Sequence, residues 1–100
     1  MQPLTNINEI PQNGLAIIDF WAKWCVACKR LEPQIEAIAS ELESIAFFKA
    51  DCDAQPQLCS DFNIRNLPTI ILLKDGVEVE RKIGSEQCRH LKQWIETFVE

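Results

Sequence analysis

Three short apolar runs constrain what this chain can fold into: residues 15–20, 45–50 and 69–73. The first is interrupted only by Asp19 and the second only by Lys49. Runs this dense suit strands covered on both faces. The segments between them have a different period. Residues 27–42 place Leu31, Ile35, Ile38, Ala39 and Leu42 at helical spacing. Pro33 falls inside that helix and predicts a kink. Residues 55–62 read as a short helix with Leu58, Cys59 and Phe62 turned inward. After the third run, Asp75-Gly76 is a hairpin turn signal, and residues 77–83 then alternate as a half-exposed strand should. Ser85, after Gly84, is placed to cap a last helix with Cys88, Leu91, Trp94, Ile95 and Phe98 on one side. Residues 1–14 give a short strand or turn and a stub of helix at 6–10, closed by Pro11 and Asn13-Gly14. The order strand, helix, strand, helix, hairpin, helix implies an α/β layer with a parallel part and an antiparallel edge.

Length and composition narrow the function classes. One hundred residues make one domain, 1–100, and 47% hydrophobic residues suffice for one core. The net charge is −5 and the basic residues do not cluster, which sets nucleic acid aside as a partner. No apolar run approaches the roughly 18 residues of a membrane helix, so no membrane partner is expected. Residues 1–12 carry neither a basic start nor a long apolar stretch, which argues against a secretory leader. Five cysteines, 25, 28, 52, 59 and 88, form a high and odd count beside only three glycines. A disulfide-dense secreted scaffold has an even count and many turns, so a reducing compartment with one working cysteine pair is the simpler reading.

That pair is Cys25 and Cys28, in Trp24-Cys25-Val26-Ala27-Cys28-Lys29, between a buried strand and a long helix. Cys-x-x-Cys closes a disulfide across one helical turn. At a helix start, Cys25 meets unpaired backbone N–H groups and the positive end of the helix dipole, which stabilise a thiolate. The thiolate is the nucleophile of disulfide exchange. Cys28, one turn in, is expected to be more buried and suited to resolve a mixed disulfide. Half a zinc site is the alternative, but Cys52, Cys59, Cys88 and His90 form no second close pair at metal-ligand spacing, and no metal is expected. Cys59 reads as a small buried apolar group. Cys52 and Cys88 are open between inert and regulatory thiols.

Five motifs in order make the chain similar to the thioredoxin family over nearly its whole length from Leu15. Asp19-Phe20-Trp21-Ala22-Lys23-Trp24-Cys25 resembles the approach to that family's active site, and Lys29 and Pro33 match its helix. Lys49-Ala50-Asp51-Cys52-Asp53 resembles the strand with a buried lysine and following acids. Arg65-Asn66-Leu67-Pro68-Thr69 resembles the cis-proline loop, and Asp75-Gly76 and Gly84 match the hairpin and the glycine facing the active site. The resemblance implies a thioredoxin-like fold, a central mixed β-sheet flanked by helices, here with a shortened N-terminal region. Two features depart from the pattern: Val26-Ala27 stands where the family has Gly-Pro, and the first helix is truncated. Val-Ala resembles the periplasm-facing C-terminal domain of the bacterial transmembrane disulfide reductase.

The resemblance also assigns roles. It implies a protein-disulfide reductase working through Cys25 and Cys28. Asp19 lies beneath the pair, its pKa raised by burial, as proton acceptor for Cys28. Lys49 pairs with Asp19 and moderates that shift. Trp24 covers the site and Trp21 packs beneath it, while Trp24, Val26, Ala27, Leu67, Pro68 and Gly84 contact substrate. A cis bond before Pro68 turns the Leu67 backbone outward, where an extended segment pairs with it as an added strand. No cofactor is bound, and electrons come from NADPH through thioredoxin reductase. The partners implied are oxidised proteins and that reductase, for a monomer in the cytoplasm. Two other readings are a periplasmic thiol carrier, or excised domain of one, and a non-catalytic protein-binding adaptor.

Overall fold

The structure, a computed structural model, describes residues 1–99. Five strands, β1 (Gln2–Pro3), β2 (Leu15–Trp21), β3 (Ala46–Asp51), β4 (Thr69–Lys74) and β5 (Val77–Ile83), form one sheet in the order β1-β3-β2-β4-β5. β1 and β2 run parallel to β3, and β4 and β5 are antiparallel. The long α1 (Val26–Glu41) makes the crossover from β2 to the parallel β3. The short α2 (Pro56–Asp61), α3 (Gly84–Gln87) and α4 (Leu91–Glu96) complete the helices.

The apolar runs are strands covered on both faces because their alternate residues feed two separate cores. Ala16, Ile18 and Phe20 of β2 join Phe48, Ala50, Ile71 and Leu73, and pack against Leu58 and Cys59 of α2. Ile17 joins Phe47, Ile70 and Leu72, and packs against Leu31, Ile35 and Ile38 of α1 and Leu91 and Ile95 of α4. The period of two within each strand decides which helix a side chain meets. Asp19 and Trp21 therefore share the α1 face with Ile17. Pro33 lies within α1, on its exposed side.

The N-terminal region is a two-residue strand followed by a single 3-10 turn, Ile7–Glu9. Asn6 caps that turn: its side chain accepts from Asn8 N–H, and Glu9 reaches back to the Asn6 N–H at 2.8 Å. At the other end, Asp75 (φ 52°) and Gly76 (φ 83°) both take positive φ, the requirement of the tight hairpin turn their sequence signals.

Three local expectations are corrected. The C-terminal helix is two helices, broken where His90 takes φ 56°; the three-residue step keeps Cys88 and Leu91 buried on the same side. Ser85 is not the cap, since α3 already begins at Gly84, and the Ile83 N–H donates instead to the Gln87 side chain at 2.8 Å. In β5 the alternation does not match burial: Val77 and Val79 are exposed. β5 is the sheet edge, and the partly covered residues on it are the charged Arg81 and Lys82. There the Trp94 indole N–H donates to Glu80 at 2.7 Å, and the Lys82 ammonium lies over the Trp94 ring.

Candidate active site

The redox end is built where β2 stops and α1 starts. Cys25 N–H donates to the Ala22 carbonyl at 3.1 Å, which turns the chain out of the strand. Cys25 then holds extended backbone as the N-cap of α1, and the Cys28 N–H points at its Sγ at 3.2 Å. An N-cap side chain takes one of the orphan N–H groups of the first turn, and here the acceptor is sulfur. Cys25 and Cys28 are joined as a disulfide, with Cα atoms 5.3 Å apart. Both are buried, Cys25 at 6% exposed and Cys28 at 2%. The neighbours are not: Trp24 is 68% exposed and Val26 62%. Trp24, next to Cys25 in the chain, thus faces solvent at this end of the molecule.

Beneath the pair lies Asp19, 2% exposed, with Oδ1 unpartnered among the described residues. Burial, with the charge of Glu32 next, pushes its carboxyl up to about 7, against an opposing pull from Lys49. Asp19, Trp21, Cys28, Lys29 and Glu32 line one cavity of about 210 Å³. A polar cavity of that size admits water, a bridge for protons between Asp19 and Cys28.

Lys49 is the cross-strand neighbour of Asp19 in the β2–β3 register. Its ion pair is made with Glu32 instead, at 3.2 Å, and its ammonium lies 5.4 Å from the centre of the Trp21 ring. The expected Lys49–Asp19 pair is therefore corrected: Lys49 acts on Asp19 only through space. Glu32 is the residue the sequence reading missed. Its signal was spacing, since Glu32 falls four residues after Cys28, on the same face of α1.

The recognition side comes from the loop before β4. The Leu67–Pro68 bond is cis, and Leu67 packs against Ala22, Cys25 and Cys28. The Pro68 carbonyl accepts from Gly84 N–H at 2.8 Å, and Gly84 holds φ 79° with open space where a Cβ would stand. Ala27, half-buried, borders a second cavity with Arg30, Ser85 and Cys88. Trp24, Val26, Ala27, Leu67, Pro68 and Gly84 thus belong to the segments around the disulfide.

The other cysteines depart from expectation. Cys52 and Cys59 form a second disulfide, Cα atoms 5.7 Å apart, so Cys59 is buried but not a bare apolar group, and Cys52 is not a free thiol. The expectation of a single cysteine pair is thus corrected to two, of which Cys25–Cys28 is the one at the candidate site. Cys88 remains free and buried, and burial, with the charge of Asp19 next, pushes its thiol up to about 11. At neutral pH it is a protonated, unreactive thiol. Among the described residues, no group of three or more His, Cys, Asp or Glu side chains is arranged to hold a metal ion.

The family model described as Thioredoxin matches residues 5–97. The chain belongs to the thioredoxin family. It is 47% identical over 79 residues to a thioredoxin of Chlamydia muridarum, covering 79% of this chain and 78% of that protein. It is 40% identical over 90 residues to a thioredoxin of Rickettsia typhi, covering 88% and 86%. Among solved structures, Plasmodium falciparum thioredoxin superposes with a TM-score of 0.89 at 32% identity, over 99% of this chain and 100% of that one. Mitochondrial thioredoxin 3 of Saccharomyces cerevisiae, in its oxidised form, gives 0.86 at 31%, over 97% and 94%. The mixed five-stranded sheet with flanking helices is the thioredoxin fold. With the Cys25–Cys28 pair in place, the chain is a thiol–disulfide oxidoreductase, and its redox-active group is that disulfide rather than a prosthetic cofactor.

Proposed function

We propose that the chain is a cytoplasmic reductant of protein disulfides, recharged by NADPH through a thioredoxin reductase, with Asp19 as the base for its resolving step. The observation that carries the reading is the pairing of two environments. Cys25 caps a helix with an N–H aimed at its sulfur, and Cys28 shares a cavity with a buried carboxylate whose pKa is raised to about 7. Residues of the thioredoxin family at the matching positions support it.

The cycle begins with both thiols reduced. The Cys25 thiolate attacks one sulfur of the substrate disulfide, and the first substrate sulfur leaves as a thiolate that takes a proton from water. Asp19 accepts the Cys28 proton, directly or through water in the shared cavity. Cys28 then attacks Cys25 Sγ, and the Cys25–Cys28 disulfide forms as the second substrate thiolate leaves and takes a proton, which Asp19 gives up directly or through water. The substrate has gained two electrons and two protons. A base with a pKa near the working pH is the efficient choice for that transfer. Leu67, beside the pair and followed by the cis bond, offers its backbone to an extended substrate segment as an added strand. Exposed Trp24 and Val26 supply apolar contact next to it.

The test is coupled turnover: NADPH, a bacterial thioredoxin reductase, insulin and the protein. NADPH consumption proportional to the protein, and lost in Cys25→Ser, is expected. Insulin reduction driven by dithiothreitol but never by NADPH and the reductase would overturn the electron source while leaving the chemistry intact.

A further inference from the structure

The Cys52–Cys59 disulfide takes no part in that cycle, yet it ties together two segments that do. Cys52 follows the last residue of β3, and its N–H donates to the Trp21 carbonyl at 2.9 Å. Trp21 in turn packs against Ala22, Cys25 and Cys28. Cys59 lies in α2, where its carbonyl accepts from Ile64 N–H at 2.9 Å. Only Arg65 and Asn66 separate Ile64 from Leu67, the residue against the redox pair. One covalent bond therefore joins the strand end on one side of the site to the helix that launches the loop on the other.

α2 has six residues, too few to hold its shape alone. What anchors it is the core contact of Leu58 and Cys59, and the bridge to Cys52. The two cysteines also differ in exposure. Cys59 is 7% exposed and buried in the core, whereas Cys52 is half-buried. A reagent arriving from water meets Cys52 first, and accessible disulfides are the exchangeable ones.

We propose that Cys52–Cys59 is a second, regulatory redox site, set by small thiols and disulfides of the glutathione class, whose state controls how firmly the 63–67 loop holds substrate. The exchange balances as follows. A thiolate attacks Cys52 Sγ, forming a mixed disulfide there and releasing Cys59 as a thiolate, which takes a proton. A second small thiolate attacks the added sulfur. The small disulfide leaves, and the Cys52 thiolate takes the second proton. Two electrons pass from two small thiols to the protein pair, and oxidation by a small disulfide reverses each step. With the bridge open, α2 and the 63–67 loop lose a covalent anchor and must be ordered by the substrate, which weakens binding. The chemistry at Cys25 and Cys28 is untouched, so KM rises and kcat holds.

Two measurements test this. The Cys25→Ser/Cys28→Ser variant isolates the second pair, and its readout is independent of the proposed reductase cycle. Equilibrated with graded ratios of reduced to oxidised glutathione, then acid-quenched and alkylated, it should gain label at Cys52 and Cys59 together in one two-electron transition. A bridge that stays closed at every ratio, or two cysteines labelled at every ratio, overturns the switch. In the otherwise natural chain, Cys52→Ala/Cys59→Ala should raise KM for insulin three- to tenfold with kcat within twofold. Should that variant fail to fold, the natural protein with the pair reduced by glutathione, and verified so by mass, serves in its place. An unchanged KM, or a fall in kcat at constant KM, overturns control of the loop.

Discussion

Cys25–Cys28 and Cys52–Cys59 span similar distances, with Cα separations of 5.3 and 5.7 Å, and differ in what surrounds them. The first sits at the start of a sixteen-residue helix, with an N–H on the leading sulfur and a buried carboxylate under the second cysteine. The second joins a strand end to a six-residue helix, and its buried sulfur lies among apolar side chains. Helix dipole, N–H and nearby base lower the barrier to exchange at one pair. Apolar packing supplies none of them at the other. Disulfide chemistry is thus assigned by environment, while both pairs satisfy the same covalent geometry.

The largest expected effect separates the pairs outright. Cys25→Ser should lower insulin turnover at least about 10³-fold, since the nucleophile is gone. Cys52→Ser/Cys59→Ser should leave kcat within about twofold. Equal losses in the two variants would erase the distinction.

Next comes the carboxylate. Asp19→Asn should slow the resolving step by about 10²-fold, the scale of a lost general base, read by stopped-flow mixing of reduced protein with a disulfide substrate. It should also remove a rise of that rate with pH near 7. Stability moves the other way. Burial raises the folded pKa from 3.8 to about 7, so the fold favours the protonated acid. That contribution is full below about pH 4 and is lost as pH climbs through about 7. At about 1.4 kcal/mol per pKa unit, the ionised group costs a few kcal/mol above pH 7. Urea unfolding should show Asp19→Asn more stable than the natural chain at pH 8, and the gap should narrow toward pH 4.

Cys52→Ala/Cys59→Ala should lower stability by about 2 kcal/mol, from the chain entropy of a closed loop of about eight residues. Matching urea midpoints for the oxidised natural protein and the variant would mean the bridge constrains nothing. The smallest effect sharpens the first pair. Proline fixes φ, so Ala27→Pro should stiffen the ring and favour its closure by about 1 kcal/mol. That corresponds to a potential lower by about 20 mV, measurable by titration against a dithiothreitol buffer. An equal or higher potential would mean ring stiffness does not set the poise.

The pair, the strands themselves and the loop before β4 were legible in the sequence because each has a local signature. Apolar runs mark strands, Cys-x-x-Cys at a strand-to-helix junction marks the site, and Asp75-Gly76 marks the hairpin. What failed was long-range or relational. Lys49 does face Asp19 across the register, but Glu32, from the helix above, takes the ammonium. The Cys52–Cys59 bridge was missed because connectivity cannot be read from spacing. The break at His90 was missed because the apolar stripe from Cys88 to Phe98 keeps its phase across it. The edge strand misled because its valines face solvent while Trp94 engages Glu80 and Lys82.

The central claim is that substrate protein disulfides are reduced through Cys25 and not through the second pair. Cys28→Ser tests it most directly, because it leaves the attacking thiol and removes the one that resolves. Reduced Cys28→Ser, mixed with oxidised insulin, quenched in acid and mapped by peptide mass, should accumulate a mixed disulfide at Cys25. Adducts at Cys52 or Cys59 with Cys25 unmodified would contradict the account.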